Sequence, residues 1–168
     1  MAFWKNLLAV VCVLWAMTGS SIAKDPAAGG PWKLGKITVE KAWARIVPGG
    51  AGTGAVYMTI SNRSGNDDLL LAVESQAART TSVHKSITKD GVARMEAVPF
   101  GLLVPNNSEV VMAPGGTHIM LTGLTGTAQP ADFLPVTMVF RDAGKLDFDV
   151  PVFPLNAGEP KHSGHGTN

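Results

Sequence analysis

Apolar and polar residues alternate through most of this sequence, and the alternation limits what the chain can fold into. In the segment AVYMTIS, Val56, Met58 and Ile60 share one side of an extended strand, and the residues between them take the other side. PVTMVFRD and LDFDVPVF repeat the pattern. A two-residue period is typical of β-strands with one buried face. Turn-forming residues separate such runs every ~8–12 residues, so we predict an all-β single domain, an antiparallel β-sandwich or barrel.

The first 23 residues are predicted to be a secretory signal peptide. Lys5 precedes an apolar run, and the small residues Ser21 and Ala23 mark a cleavage site after Ala23. The run is shorter than the ~20 apolar residues that a membrane-spanning helix needs. We therefore expect a secreted mature chain without membrane insertion, with a retained N-terminal anchor as the alternative. Cys12 follows two valines rather than small residues, which disfavours a lipid-modified cysteine.

Composition excludes several classes of function. Removing residues 1–23 from the 168-residue chain leaves 145 residues with 13 basic groups, 13 acidic groups and no cysteine. Disulfides, thiolate metal sites and cysteine nucleophiles are thereby excluded. Balanced charge without a basic cluster argues against nucleic acid or an anionic membrane as a partner. Because no G-x-S-x-G motif, P-loop or dinucleotide-binding fingerprint is present, we do not expect an enzyme.

The mature chain divides into three segments by composition. Residues 24–36 are rich in Pro, Gly and Ala and are predicted to be a flexible lead-in. Residues 37–153 carry the strand pattern and form the predicted domain. Residues 154–168 are polar and are predicted to be a disordered tail, which contains His162 and His165.

The segment THIM, residues 117–120, contains two candidate metal ligands. Strand alternation places His118 and Met120 on one face, roughly 7 Å apart along the strand, and Ile119 and Leu121 on the other. A methionine on the face away from the core could use its sulfur to bind a metal. The alternative is that Met120 packs in a second apolar layer or beneath a loop.

A second pair of candidate ligands lies earlier in the chain. His84 belongs to the run TTSVHKSI, and Met95 belongs to VARMEAV, with the turn-like TKDG between them. The two runs are predicted to be the arms of a hairpin, which would bring His84 and Met95 close together. Two His and two Met from three strands could then meet on one side of the sheet.

The donor atoms of such a set favour Cu(I). Thioether sulfur is neutral and soft, whereas zinc sites usually include an anionic ligand and Ca²⁺ and Mg²⁺ prefer oxygen. A blue-copper electron carrier would need a cysteine thiolate, which the mature chain lacks. The chemistry therefore indicates copper carriage. The tail residues His162 and His165 could add weak Cu(II) capture or could be inert.

The spacing of these residues resembles that of the PCuAC family of periplasmic Cu(I) chaperones. Ten residues separate His84 from Met95, and twenty-two separate Met95 from the His118-Ile119-Met120 motif. The segments KAWAR, GAVYMTISN and MAPGGTHIMLTGL are also similar to the family pattern, over about residues 37–153. Family members often carry a methionine one or two places after the first His, where this chain has Lys85 and Ser86.

The resemblance implies a cupredoxin-like fold and a periplasmic copper chaperone whose Cu(I) ligands are His84, Met95, His118 and Met120. It also implies delivery to a cuproprotein, typically the dinuclear copper site of a cytochrome c oxidase subunit, with a thioredoxin-like copper protein as a possible co-partner. Lys85 could weaken binding through its charge. The alternatives are a periplasmic copper-storage or resistance protein and a metal-independent β-sandwich interaction module.

Overall fold

The computed structural model describes residues 29–47, 52–126, 129–158 and 160. These residues contain eleven β-strands and no helix, so the prediction of an all-β protein is confirmed. No described segment is a helix long and apolar enough to span a membrane. The predicted signal peptide, His162 and His165 lie outside the described residues. The strands are β1 (Trp32–Leu34), β2 (Ile37–Val47), β3 (Thr53–Asn62), β4 (Asp68–Glu74), β5 (Ala78–Lys89), β6 (Val92–Ala97), β7 (Leu102–Val104), β8 (Ser108–Met112), β9 (Thr117–Leu124), β10 (Phe133–Phe140) and β11 (Lys145–Phe153).

All eleven strands belong to one sheet that does not close into a barrel. The strand order is β6-β5-β9-β3-β2-β11-β10-β4-β7, with β1 paired to β2 and β8 paired to β3. Among the described strands the pairing is antiparallel throughout, except for a short parallel contact between β11 and β2. Strands β6 and β7 stand at the two ends of the order. Of the two predicted architectures, the closed barrel is therefore excluded.

The main hydrophobic core joins the two halves of the sheet. Val56 and Ile119, from the half that contains β3 and β9, belong to the same buried cluster as Leu134 and Val150, from the half that contains β10 and β11. The same cluster includes the side chains of Met58, Met112 and Met138, which are almost fully buried. Burying a side chain of this size contributes about 1.5–3 kcal/mol of hydrophobic stabilisation.

A second, smaller cluster covers the outer face of β2 and β3. Trp43 lies against Tyr57 with ring centroids 4.4 Å apart, and Phe153 meets Trp43 edge-on at 6.3 Å. The guanidinium of Arg45 lies 4.8 Å above the Trp43 ring and donates a hydrogen bond to the carbonyl of Ala157. Tyr57 is therefore buried, although the alternation in β3 suggests an exposed face at that position.

The sequence predicts a flexible lead-in over residues 24–36, and this prediction is wrong for residues 29–36. Strand β1 pairs with β2 in the register Trp32 opposite Val39, and the backbone of Gly29 exchanges hydrogen bonds of 2.7 and 3.0 Å with Ala42. The Trp32 ring packs on Phe148 with centroids 4.7 Å apart. Aromatic burial against β11 thus orders a Gly- and Pro-rich segment whose composition alone suggests flexibility.

Candidate metal centre

Three adjacent strands carry the predicted ligands. His84 lies on β5, Met95 on β6, and His118 and Met120 on β9, and β5 lies between the other two strands. Asp90 and Gly91 connect β5 to β6, and both have positive φ angles, 54° and 74°. This is the backbone of a two-residue type I′ hairpin turn, for which Asp-Gly is a preferred sequence. The predicted hairpin is therefore confirmed.

The strand register places all four predicted ligands on one face. His84 is directly opposite His118, and their ring centroids are 6.2 Å apart. Met120 is opposite Ser82, two residues before His84. Met95 is opposite Ser86, two residues after His84. Directly opposed residues share a face, as do alternate residues along a strand, so the four side chains project to the same side.

The hairpin relates His84 and Met95 diagonally. The residue of β6 directly opposite His84 is Ala97, whereas Met95 lies two pairs further toward the turn, opposite Ser86. Diagonal neighbours are about 7–8 Å apart between Cα atoms, within the reach of a long side chain such as methionine. The hairpin therefore brings the two residues near one another, although it does not pair them.

The candidate face is the outer face of the part of the sheet that contains β5, β9 and β3. Ile119 and Leu121, between and beside the two β9 ligands, are fully buried in the main core, as the alternation predicts. His118 projects the other way and is still only 8% exposed. Its ring lies beside Tyr57 on β3, with centroids 6.2 Å apart. The aromatic cluster on β2 and β3 therefore borders the histidine pair and shields His118 from water.

The hydrogen bond of His118 determines which of its ring nitrogens can bind a metal. Nδ1 lies 3.1 Å from the carbonyl oxygen of Gly116. A carbonyl only accepts, so Nδ1 carries the proton and donates it, and the lone pair of the neutral ring is on Nε2. Metal-binding histidines commonly donate their second ring N–H to a backbone carbonyl in this way. The same Gly116 carbonyl accepts a 3.1 Å hydrogen bond from the backbone N–H of Ser86.

His84 has one ring nitrogen that a metal could satisfy. Its Nε2 and the Ser82 hydroxyl share a hydrogen bond of 3.0 Å. Its Nδ1 is buried and has no hydrogen-bond partner within the part of the chain that the structure describes. Buried polar atoms are nearly always paired, and a coordinated cation is one way to satisfy such an atom. This atom is the clearest sign that the site fits a metal ion.

The spacing of the two rings also fits a shared ion. Metal–nitrogen bonds of about 2 Å bring two imidazole centres to roughly 5–6.5 Å from one another when both rings bind one ion. The 6.2 Å separation of His84 and His118 lies at the upper end of this range, where the two metal–nitrogen bonds point in nearly opposite directions. Within the described ranges, no group of three or more His, Cys, Asp or Glu could hold a metal. Met95 and Met120, which share the face of the two imidazoles, are the further donors that the sequence predicts for such an ion.

Tyr57, the aromatic neighbour of His118, adds no charge beside the candidate ligands. Burial raises the pKa of the Tyr57 hydroxyl, an effect that the positive charge of Arg45 partly offsets, so Tyr57 stays protonated at neutral pH. Lys85 lies directly opposite Glu96 and Thr117, on the face away from His84. The register therefore separates Lys85 from the candidate ligands, and its effect on copper binding stays a prediction. Ser86, by contrast, lies on the ligand face opposite Met95.

Sequence reasoning missed three contributors to the site. Ser82 and the Gly116 carbonyl bond the two imidazoles, and Tyr57 covers His118. Strand alternation does place Ser82 on the face of His84, which was a usable signal. No comparable signal exists for Gly116 or Tyr57, because their positions depend on how β9 pairs with β5 and β3.

Comparison with known proteins identifies relatives of the chain. Residues 37–152 match the LpqE-like family, described as "Putative lipoprotein LpqE-like". The "Putative lipoprotein Lxx21020" of Leifsonia xyli is 28% identical over 156 residues, which cover 92% of this chain and 93% of that protein. "Uncharacterized protein RP573" of Rickettsia prowazekii is 29% identical over 103 residues, or 60% of this chain and 57% of that protein.

Solved structures with the same fold include PCuAC domains, which confirms the resemblance to that family. The copper-bound PCuAC domain from PmoF2 has 27% identity and a TM-score of 0.62, covering 73% of this chain and 97% of that domain. The solution structure of CuI-DR1885 from Deinococcus radiodurans has 25% identity and a TM-score of 0.53, covering 67% and 76%. The ligand assignment to His84, Met95, His118 and Met120 stays a prediction.

Proposed function

The chain belongs to the LpqE-like family, and from this membership and the histidine–methionine face we propose that it is an extracytoplasmic Cu(I) chaperone. The observation that carries the proposal is the direct opposition of His84 and His118 on a face that both methionines share. Support also comes from the similarity to a domain solved with copper bound.

The donor set supports Cu(I) as the cargo. Two neutral imidazoles and two thioethers would bind the ion without adding negative charge, which favours a soft monovalent cation over Zn²⁺, Ca²⁺ or Mg²⁺. The ion is cargo to be handed on, and no chemical step on a substrate is proposed. Release is favoured by Met95, which is 58% exposed on the edge strand β6. A partner could reach this ligand without unfolding the domain.

The location and the receiving protein form the finer part of the proposal. The lipoprotein names of two matches and the predicted signal peptide support a periplasmic location. The PCuAC resemblance supports a copper-accepting cuproprotein as the partner, such as the dinuclear copper site of a cytochrome c oxidase subunit, with a thioredoxin-like copper protein assisting. A transfer assay that mixes the copper-loaded chain with each apo-acceptor would test which protein receives the copper.

Anaerobic titration with Cu(I) against a competing chelator tests the site itself. The wild type is expected to bind one Cu(I), and the double variant His118→Ala/Met120→Ala is expected to lose that binding. Thr122→Ala is the matched control, because Thr122 is exposed on β9 two residues after Met120. Equal binding by the double variant and the wild type would show that the site assignment is wrong.

Copper titration also distinguishes the proposed chaperone from the two alternatives, an interaction module and a copper-storage protein. An interaction module would bind no stoichiometric copper in its wild-type form. A storage protein that depends on His162 and His165 would lose most of its Cu(II) capacity on deletion of residues 160–168, whereas the proposed chaperone keeps its Cu(I) site after that deletion.

A further inference from the structure

We infer that Ser82 is a positioning residue that makes His84 bind copper through Nδ1, while His118 binds through Nε2. This inference rests on the proposed function, because it concerns how the proposed site holds its ion. Ser82 lies on β5 two residues before His84 and directly opposite Met120, so its hydroxyl is on the ligand face. It is partly buried, and its Oγ is 3.0 Å from Nε2 of His84.

The argument starts from the single proton of a neutral imidazole. If Nδ1 of His84 carried that proton, a buried N–H would lack an acceptor among the described residues. If Nε2 carries it, the N–H donates to the Ser82 hydroxyl oxygen at 3.0 Å and the buried Nδ1 presents a lone pair. The second arrangement leaves no buried ring N–H without an acceptor. It also leaves a lone pair available for a cation.

His118 has the opposite arrangement, set by a different acceptor. Its Nδ1–H donates to the carbonyl of Gly116, so its free lone pair is on Nε2. The two histidines therefore face each other across paired strands with different nitrogens available. In each case a fixed acceptor, one a side chain and one backbone, orients the ring and selects the tautomer. This is the role that hydrogen-bond partners of metal-binding histidines usually have.

Ser82 itself is a poor candidate for a ligand of Cu(I). Its neutral hydroxyl is a hard oxygen donor, whereas Cu(I) prefers sulfur and imidazole. Its hydroxyl oxygen also already pairs with His84. Ser82 therefore acts through His84, and its removal should weaken binding and free the ring without removing a ligand.

Nitrogen NMR on ¹⁵N-histidine-labelled protein tests the inference, because Cu(I) is diamagnetic. In the metal-free wild type, His84 is expected to show a protonated Nε2, and His118 a protonated Nδ1. On loading with Cu(I), the Nδ1 resonance of His84 and the Nε2 resonance of His118 should shift. A protonated Nδ1 on metal-free His84, or a metal shift on its Nε2, would overturn the inference.

Substitutions at Ser82 provide the second test. Ser82→Ala is expected to weaken Cu(I) binding about tenfold, in the range typical for loss of a partner of a metal-bound histidine. Ser82→Thr keeps the hydroxyl and should restore both the affinity and the His84 tautomer. Ser61→Ala is the matched control, because Ser61 bonds Glu109 on β8 and lies away from the histidines.

The outcomes distinguish this inference from the proposed function. Absence of Cu(I) binding by the wild type would contradict the function and the inference together. Wild-type binding through His84, with affinity and tautomer unchanged in Ser82→Ala, would contradict only the role of Ser82.

Discussion

Strands β9 and β6 both contribute to the candidate face, but the fold holds them very differently. Strand β9 lies inside the sheet, paired on one side with β3 and on the other with β5. Its His118 is 8% exposed. Strand β6 stands at the end of the strand order, and all six of its residues are exposed, with Met95 58% exposed. One ligand position is therefore anchored within the fold, and another is open to solvent.

This difference suggests a division of labour within the proposed site. A side chain that is already ordered by packing and a hydrogen bond loses little conformational entropy when it binds an ion. An exposed methionine on an edge strand loses more, and it is also the first ligand that an approaching protein can replace. We therefore expect β9 to determine affinity and β6 to determine the rate of release.

The largest effect is expected for His118→Ala. This change removes a preorganised ligand, so Cu(I) affinity should fall by more than the roughly 10–100-fold that loss of an outer partner costs. A competition titration gives the dissociation constant, and circular dichroism checks that the sheet is retained. A smaller loss for His118→Ala than for Met95→Ala would reverse the proposed roles of the two strands.

Met95→Ala is expected to have a smaller effect on affinity and a visible effect on release. We expect affinity to fall about tenfold, equivalent to about 1.4 kcal/mol, because the other three ligands remain. The release rate should rise by a similar factor, as affinity differences of this kind are mostly differences in dissociation. Stopped-flow transfer to a chelator measures the rate, and Val92→Ala, another exposed residue of β6, is the control. An unchanged rate would exclude Met95 as the releasing ligand.

Gly91→Val should disturb the site through the hairpin alone. Gly91 has φ +74°, and a left-handed conformation costs a residue with a side chain roughly 1–2 kcal/mol. No atom lies within 4 Å of an added Cβ, so the cost arises from the backbone. Hydrogen exchange in β6 should accelerate, with a loss of Cu(I) affinity no greater than that of Met95→Ala.

Gly91→Asn is the control for that experiment, since asparagine tolerates a positive φ better than valine does. It should leave exchange and affinity close to wild type. If the valine variant keeps slow exchange in β6, the turn does not control the alignment of Met95.

The smallest effect is expected for Lys85→Ala. Lys85 follows His84 directly, but the register places it on the opposite face beside Glu96 and Thr117. Exposed charges interact weakly in water, so we expect less than about a twofold change in Cu(I) affinity. Parallel Cu(I) titrations of Lys85→Ala and Ser86→Ala compare the two faces of β5. A change as large as that for Met95→Ala would contradict this view of Lys85.

The predictable features were those that depend on local pattern. Alternation in THIM correctly assigned Ile119 and Leu121 to the core and His118 to the opposite face. The Asp-Gly turn correctly predicted the hairpin of β5 and β6. Composition failed at residues 29–36, because tertiary packing of Trp32 on Phe148 orders a segment that is rich in glycine and proline.

By itself, the sequence determined the strand class and the core-facing residues, and it predicted a soft, thiolate-free donor set. These properties follow from residue chemistry and from a two-residue period that each strand carries alone. Only the tertiary structure decided that β5 pairs with β9 so that His84 opposes His118, and that Gly116 and Ser82 orient the two rings. Such pairing joins strands that are distant in the chain. It depends on how the whole sheet buries its core, which no local pattern encodes.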